Sequence, residues 1–165
     1  MLITVTPATV EPVTLADAKA DIRMTHSADD ALITRQIASA RQTVEMWTGV
    51  ALAAAVYQQT FGNVRDGVTL PLLPATVASV TQIVDDARVA LTEYTTDAVI
   101  GRVYFTAADS VVVQFQTVPG NVPAPLLTAI LLLVRREYEA SPDEQHKLYE
   151  AALASAHIYR RNVGL

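Results

Sequence analysis

Residues 124–140 read APLLTAILLLVRREYEA, and the fold turns on how this stretch is read. From Leu126 to Val134 every position except Thr128 is apolar. Ala, Leu and Ile with no internal Gly or Pro favour helix over strand. Leu127, Ile130, Leu131, Val134 and Tyr138 follow the i, i+3, i+4, i+7 spacing of one helical face. Leu126, Leu132 and Leu133 fill much of the remaining circumference, so such a helix must be covered on several sides. The run is too short to span a membrane, which takes about 20 apolar residues. Arg135, Arg136, Glu137 and Glu139 then bring it out to water or to a partner. The reading is a central helix packed by the other helices of the chain and by neighbouring subunits.

Downstream, Ser141-Pro142 stops this helix and starts another. Ser141 suits an N-cap, Pro142 the first helical position, and Asp143 and Glu144 the positive end of the dipole. That last helix should run to about Arg160, with Leu148, Ala152, Ala156 and Tyr159 as its stripe. Upstream, Val118 to Pro123 is a rigid loop, and before it the periodicity changes to that of strands. Val56 to Phe61, Val68 to Leu70, Val77 to Val84, Val89 to Thr92, Val99 to Thr106 and Val111 to Thr117 are strand candidates. Arg65-Asp66-Gly67 and Asp85 to Arg88 read as turns, the Gly62–Gly67 segment as a hairpin turn.

Ahead of the strands, Ile33, Ile37, Ala40, Val44 and Trp47 form the clearest amphipathic pattern in the chain, within a helix from about Asp29 to Thr48. Arg35, Gln42 and Glu45 fall off that stripe, and Gly49 suits a left-handed helix terminus. Thr14 and Asp17 have the spacing of a capping box for a short helix to about Met24, whose stripe is Leu15, Ala18 and Ile22. Met1 to Val13 should be extended, forming an arm. The expected fold class is α+β: one domain, 1–165, with a helical bundle of about four helices and an inserted small antiparallel β-sheet. The helical parts are about 14–53 and 123–161, the insertion about 54–117 and the C-terminal tail 158–165.

Composition narrows the function. The chain has 165 residues, 51% of them hydrophobic and 18% charged, with a net charge of −5. That apolar share points to surface buried in an assembly as well as in a core. The net charge does not favour nucleic-acid binding. With no cysteine, thiol catalysis, disulfides and Cys-ligated zinc are excluded. The first twelve residues lack a basic region and a long apolar run, so a cytoplasmic origin is expected.

No catalytic constellation is visible. His26, His146 and His157 lack partners at metal-ligand spacing. Asp29-Asp30 and Asp85-Asp86 lack the alternation of a calcium loop. There is no nucleophile elbow, phosphate-binding loop or dinucleotide fingerprint. Tyr57, Tyr94 and Tyr104 lie in the strand region without the interleaved cations of a nucleic-acid platform. No catalytic residue, metal or cofactor is therefore expected. Two basic pairs remain, Arg135-Arg136 and Arg160-Arg161, each late in a helix, where they answer the dipole or meet an acidic partner.

Three stretches resemble one family. Glu11 to Lys19 (EPVTLADAK), followed by Asp30-Ala31-Leu32-Ile33 and a long helix ending in Trp47-Thr48-Gly49, is similar to the N-terminal signature of tailed-phage head–tail connector proteins, also called adaptor or head-completion proteins. Pro125 to Tyr138 resembles that family's central helix. Ile158-Tyr159-Arg160-Arg161 resembles its closing element, with Ile158 where the family has Pro. The β-rich middle is similar only in general character.

The resemblance implies a non-enzymatic structural subunit of a virion, in phages and in gene transfer agents, assembled in the host cytoplasm. It implies a homo-oligomeric ring, typically dodecameric, between the portal protein and a tail-side stopper or tail terminator protein. DNA would pass through the lumen during genome ejection without sequence-specific binding, and no membrane is involved. Twelve copies at −5 each would carry roughly sixty negative charges, which discourages DNA from sticking. Tyr159, Arg160, Arg161, Val163 and Leu165 would dock the tail on the portal. Ile33, Ile37, Val44, Trp47, Leu127, Ile130, Leu131 and Val134 would build the core and assembly helices. The alternative is a non-enzymatic binding module whose β-rich insertion holds a protein partner.

Overall fold

The computed structural model describes residues 1–85, 87–106, 108–139 and 141–161. In chain order the elements are β1 (Leu2–Thr6), α1 (Leu15–Asp21), α2 (Asp30–Thr48), β2 (Val56–Val64), β3 (Val68–Thr69), β4 (Ala75–Val84), β5 (Ala87–Ala90), β6 (Thr95–Asp97), β7 (Arg102–Tyr104), β8 (Ala108–Thr117), α3 (Ala124–Arg136) and α4 (Pro142–His157). The class is mixed α+β, with four helices and antiparallel sheets. The described residues form two compact units, a helical one of 11–52 and 121–161 and a β-rich one of 1–10 and 53–120.

In the helical unit, Thr14 closes α1 with a full capping box: its Oγ1 accepts from the Asp17 N–H, and the Thr14 N–H donates to the Asp17 carboxylate. The Thr14 hydroxyl also donates to Asp17 Oδ2 at 2.6 Å, and this bond, with that from the Thr14 N–H, holds the exposed Asp17 carboxyl below its usual pKa. α2 ends at Gly49, whose φ of 74° is open to glycine at little cost. The unit's core gathers Ile33, Ile37 and Val44 of α2, Leu126, Ala129, Ile130 and Val134 of α3, and Ala152 and Ala156 of α4. On α3 the most deeply buried face is Leu126, Ala129, Ile130, Leu133 and Val134, whereas Leu127 and Leu131 are half-buried. The covered face is thus turned from the one the spacing suggested, because a helix apolar nearly all round has no unique stripe. α3 also stops at Arg136, short of Ala140, and Ala140 lies outside the described residues.

The β-rich unit holds a five-stranded antiparallel sheet in the order β1-β2-β8-β4-β5 and a three-stranded one in the order β3-β7-β6. Tyr57 opposes Phe115 across β2 and β8, and their rings stack at 5.8 Å. Those two residues, with Val80, Val111, Val113, Leu70, Leu72 and Val103, make the unit's core.

Several local expectations change. Residues 1–6 are not a free arm, since β1 pairs with β2. The turn at 65–67 does not close a hairpin, because β3 pairs with β7 rather than β2. Val99 and Ile100 are exposed turn residues, and the strand there is only Arg102–Tyr104. β6, over Thr95–Asp97, has no alternation to reveal it.

Candidate assembly surfaces

The C-terminal end of α2 gathers most of the unusual chemistry of the helical unit. Arg41 and Glu45, one turn apart, are almost wholly buried. Arg41 Nη1 donates to Glu45 Oε2 at 2.5 Å, and Arg41 Nε donates to Glu11 Oε2 at 2.7 Å. The second Glu45 oxygen, Oε1, accepts from the Leu52 N–H at 2.7 Å. Glu45 is therefore not a solvated residue beside the apolar stripe, as its place in the periodicity suggested. Its charge is tolerated inside because a guanidinium and a backbone N–H meet its two oxygens. The missed signal was the i, i+4 pairing of opposite charges flanking an apolar face.

The chain returns to this same end after α4. The Arg161 N–H donates to the Thr48 carbonyl at 2.8 Å, and Arg161 Nη1 donates to the Gly49 carbonyl at 3.3 Å. Carbonyls left open by the helix terminus thus gain a cation and a backbone donor. Burial lowers the Arg161 pKa from its usual value. The Arg160 guanidinium lies 5.8 Å from the centre of the Trp47 ring, and the His157 ring lies 6.3 Å from it. Tyr159 packs against the helical core, while Ile158 is 77% exposed. Trp47 is half-buried, with its ring contacts at the end of α4 rather than on α3 alone. Of the five tail residues singled out from sequence, Tyr159, Arg160 and Arg161 are brought together here; Val163 and Leu165 lie outside the described residues.

The core positions Ile33, Ile37, Val44, Ile130 and Val134 are buried, and Leu127 and Leu131 are partly so. Along the outer face of α2, Ser39, Gln42, Thr43, Met46 and Trp47 line an open groove, with Met46 60% exposed. In the β-rich unit, β1 and β5 are the two edges of the larger sheet, and Ile3, Val5 and Val89 are exposed on them.

Among the described residues no group of three or more His, Asp or Glu could hold a metal, and no helix is long and apolar enough to cross a membrane. Arg135 forms a two-pronged pair with Asp21, which occupies it within the helical unit.

Residues 12–79 match the family described as phage gp6-like head–tail connector protein. Among solved structures, a chain in the virion of a native gene transfer agent particle superposes with a TM-score of 0.74 and 19% identity, over 100% of this chain and 97% of that one. A chain in the neck of an empty gene transfer agent particle, computed with C6 symmetry, gives 0.71 and 18% over the same shares. A chain in the neck of the native particle, computed with C12 symmetry, gives 0.64 and 20%, again over 100% and 97%. No curated protein matches the chain. Residues 12–79 thus carry a stretch similar to the phage gp6-like head–tail connector family, on a fold shared along the whole chain with those neck and virion chains.

Proposed function

We propose that this protein is a structural, non-enzymatic subunit of the neck of a phage-like particle, forming a ring between the portal and the tail. The observation that carries the reading is the full-length fold match to gene transfer agent neck and virion chains, combined with the connector signature. In this reading the helices act as one bundle with the sheets as an insertion, within a single connector domain. The ring has twelve copies, in line with the C12 neck in which a structural neighbour sits. It encloses a channel for DNA, contacts portal protein on one side and a stopper or terminator on the other, and belongs at the head–tail interface of the virion. The C-terminal segment docks on the portal, seated by Tyr159, Arg160 and Arg161 and continued by Val163 and Leu165. The bonds of Arg161 to Thr48 and Gly49 anchor the start of that segment to the end of its own α2.

Electron microscopy of the purified chain mixed with its portal tests the reading. Rings of twelve stacked coaxially on the portal are expected. A chain that stays monomeric or dimeric and never decorates the portal favours the binding-module alternative instead.

A further inference from the structure

Among the described residues β1 and β5 are the two edges of the larger sheet, and the ladder sets which way their hydrogen-bonding groups point. On β1, the Met1 amine and carbonyl both face Thr60 of β2, so the alternation of an antiparallel ladder turns Ile3 inward and Leu2 and Thr4 outward. On β5, the Leu91 N–H faces Val80 of β4, which turns Val89 inward and Arg88 and Ala90 outward. Each edge therefore offers two residues whose N–H and C=O point away from the sheet.

Edge strands of soluble monomers usually carry lysine, proline or an inward charge that blocks pairing. Leu2–Thr6 carries none of these; it is LITVT, rich in β-branched residues. β5 carries only Arg88. A head-to-tail ring needs two different patches that complement each other on every copy, and the two ends of one sheet satisfy that requirement.

We propose, resting on the ring reading above, that β5 of one copy pairs with β1 of the next copy, so that the five-stranded sheets join edge to edge around the ring. Neighbouring strands alternate through β1-β2-β8-β4-β5, so β1 and β5 run in the same direction. A twelve-fold step turns each copy by only about 30°, so the edges meet as parallel strands. Parallel pairing sets Thr4 opposite Val89. The Thr4 N–H then donates to the Arg88 carbonyl, the Ala90 N–H to the Thr4 carbonyl and the Arg88 N–H to the Leu2 carbonyl. The register is self-consistent: Thr4, through its partner Tyr57, and Val89, through its partner Gln82, lie on the same face of the sheet.

The absence of cysteine makes a direct test possible. Thr4→Cys and Val89→Cys combined in one full-length chain should give, under mild oxidation of the assembled protein, a ladder of disulfide-linked dimers, trimers and higher multimers. Neither single variant can extend beyond a dimer. Within one chain the two edges are four strand spacings apart, roughly 19 Å, so the bridge cannot close internally. Independently, Thr4→Pro and Ala90→Pro each remove an outward N–H without touching the ladder inside the sheet. Both should keep wild-type circular dichroism and melting, yet stay monomeric at concentrations where the wild type assembles. If the wild type forms rings but the double-cysteine chain gives no ladder, or the proline variants assemble normally, edge pairing is overturned and the ring stands. A wild type that forms no rings, alone or on portal, overturns the ring and edge pairing together.

Discussion

Arg41 and Glu45 show how much one buried pair can demand of its surroundings. Two charges removed from water are tolerated only where good geometry meets both. Arg41 has Glu45 and Glu11, and Glu45 has Arg41 and the Leu52 N–H. Glu45→Ala removes a carboxylate from a guanidinium that is only 2% exposed, so urea denaturation should show a loss of about 3–5 kcal/mol. A loss below about 1 kcal/mol would mean that water reaches Arg41 readily. Trp47 behaves differently. Its half-buried ring lies beside Arg160 and His157, so Trp47→Ala should cost about 2 kcal/mol, less than the ~3–5 kcal/mol of a fully buried tryptophan. It is the chain's single tryptophan, and its fluorescence therefore reports on the returning tail. Deleting residues 158–165 should move the emission to longer wavelength; an unchanged spectrum would show that the tail does not cover the ring in solution.

Short elements depend on their ends. α1 is only 7 residues long, too short to stand without its cap and its packing. Thr14→Ala should cost about 1 kcal/mol in thermal melting. The cap also sets a pH dependence. Because the folded Asp17 carboxyl is held below its unfolded value, its contribution is present above the ordinary carboxylate range and is lost as pH falls through the folded pKa. Thr14→Ala should therefore flatten the acid limb of the stability profile, and an identical slope in both proteins would argue against the box. In the smaller sheet, Gly67 has a φ of 115°, and an added Cβ would lie 2.1 Å from the Val103 carbonyl oxygen. Gly67→Ala should destabilise the pairing of β3 with β7 by about 1–3 kcal/mol, seen as early hydrogen exchange at Val68 and Val103. Unaltered exchange there would show that the turn can relax.

At the scale of the whole molecule, the C-terminal segment is tied back at Arg161. Up to that residue the chain is bonded to the end of α2. Deleting 158–165 should therefore lower stability as well as remove any docking. Deleting only 162–165, which keeps the Arg161 bonds, should reduce co-sedimentation with portal severalfold. If the shorter deletion binds portal like the wild type, the docking role belongs elsewhere. If Arg160, which is exposed, meets the portal, binding by the full chain should also weaken as salt rises, because salt screens attraction between exposed charges.

The sequence by itself determined the local elements: the amphipathic α2, the capping box at Thr14, the left-handed end at Gly49 and the proline start of α4. These rest on interactions within a few residues, so periodicity and capping chemistry suffice to read them. The connector signature was equally legible, since Thr14 to Lys19, Asp30 to Ile33 and Trp47 to Gly49 carry it in order. Only the tertiary structure decided which face of α3 is covered, because Leu126 to Val134 has no polar side to orient it. It alone placed Glu45 inside, brought Glu11 to Arg41 across thirty positions, and returned Arg161 to Thr48. It alone made Leu2–Thr6 an edge strand and separated β3 from β2. Each of these depends on groups far apart in the chain, whose pairing is set by the burial of charge and by the satisfaction of backbone groups, and neither leaves a period in the sequence.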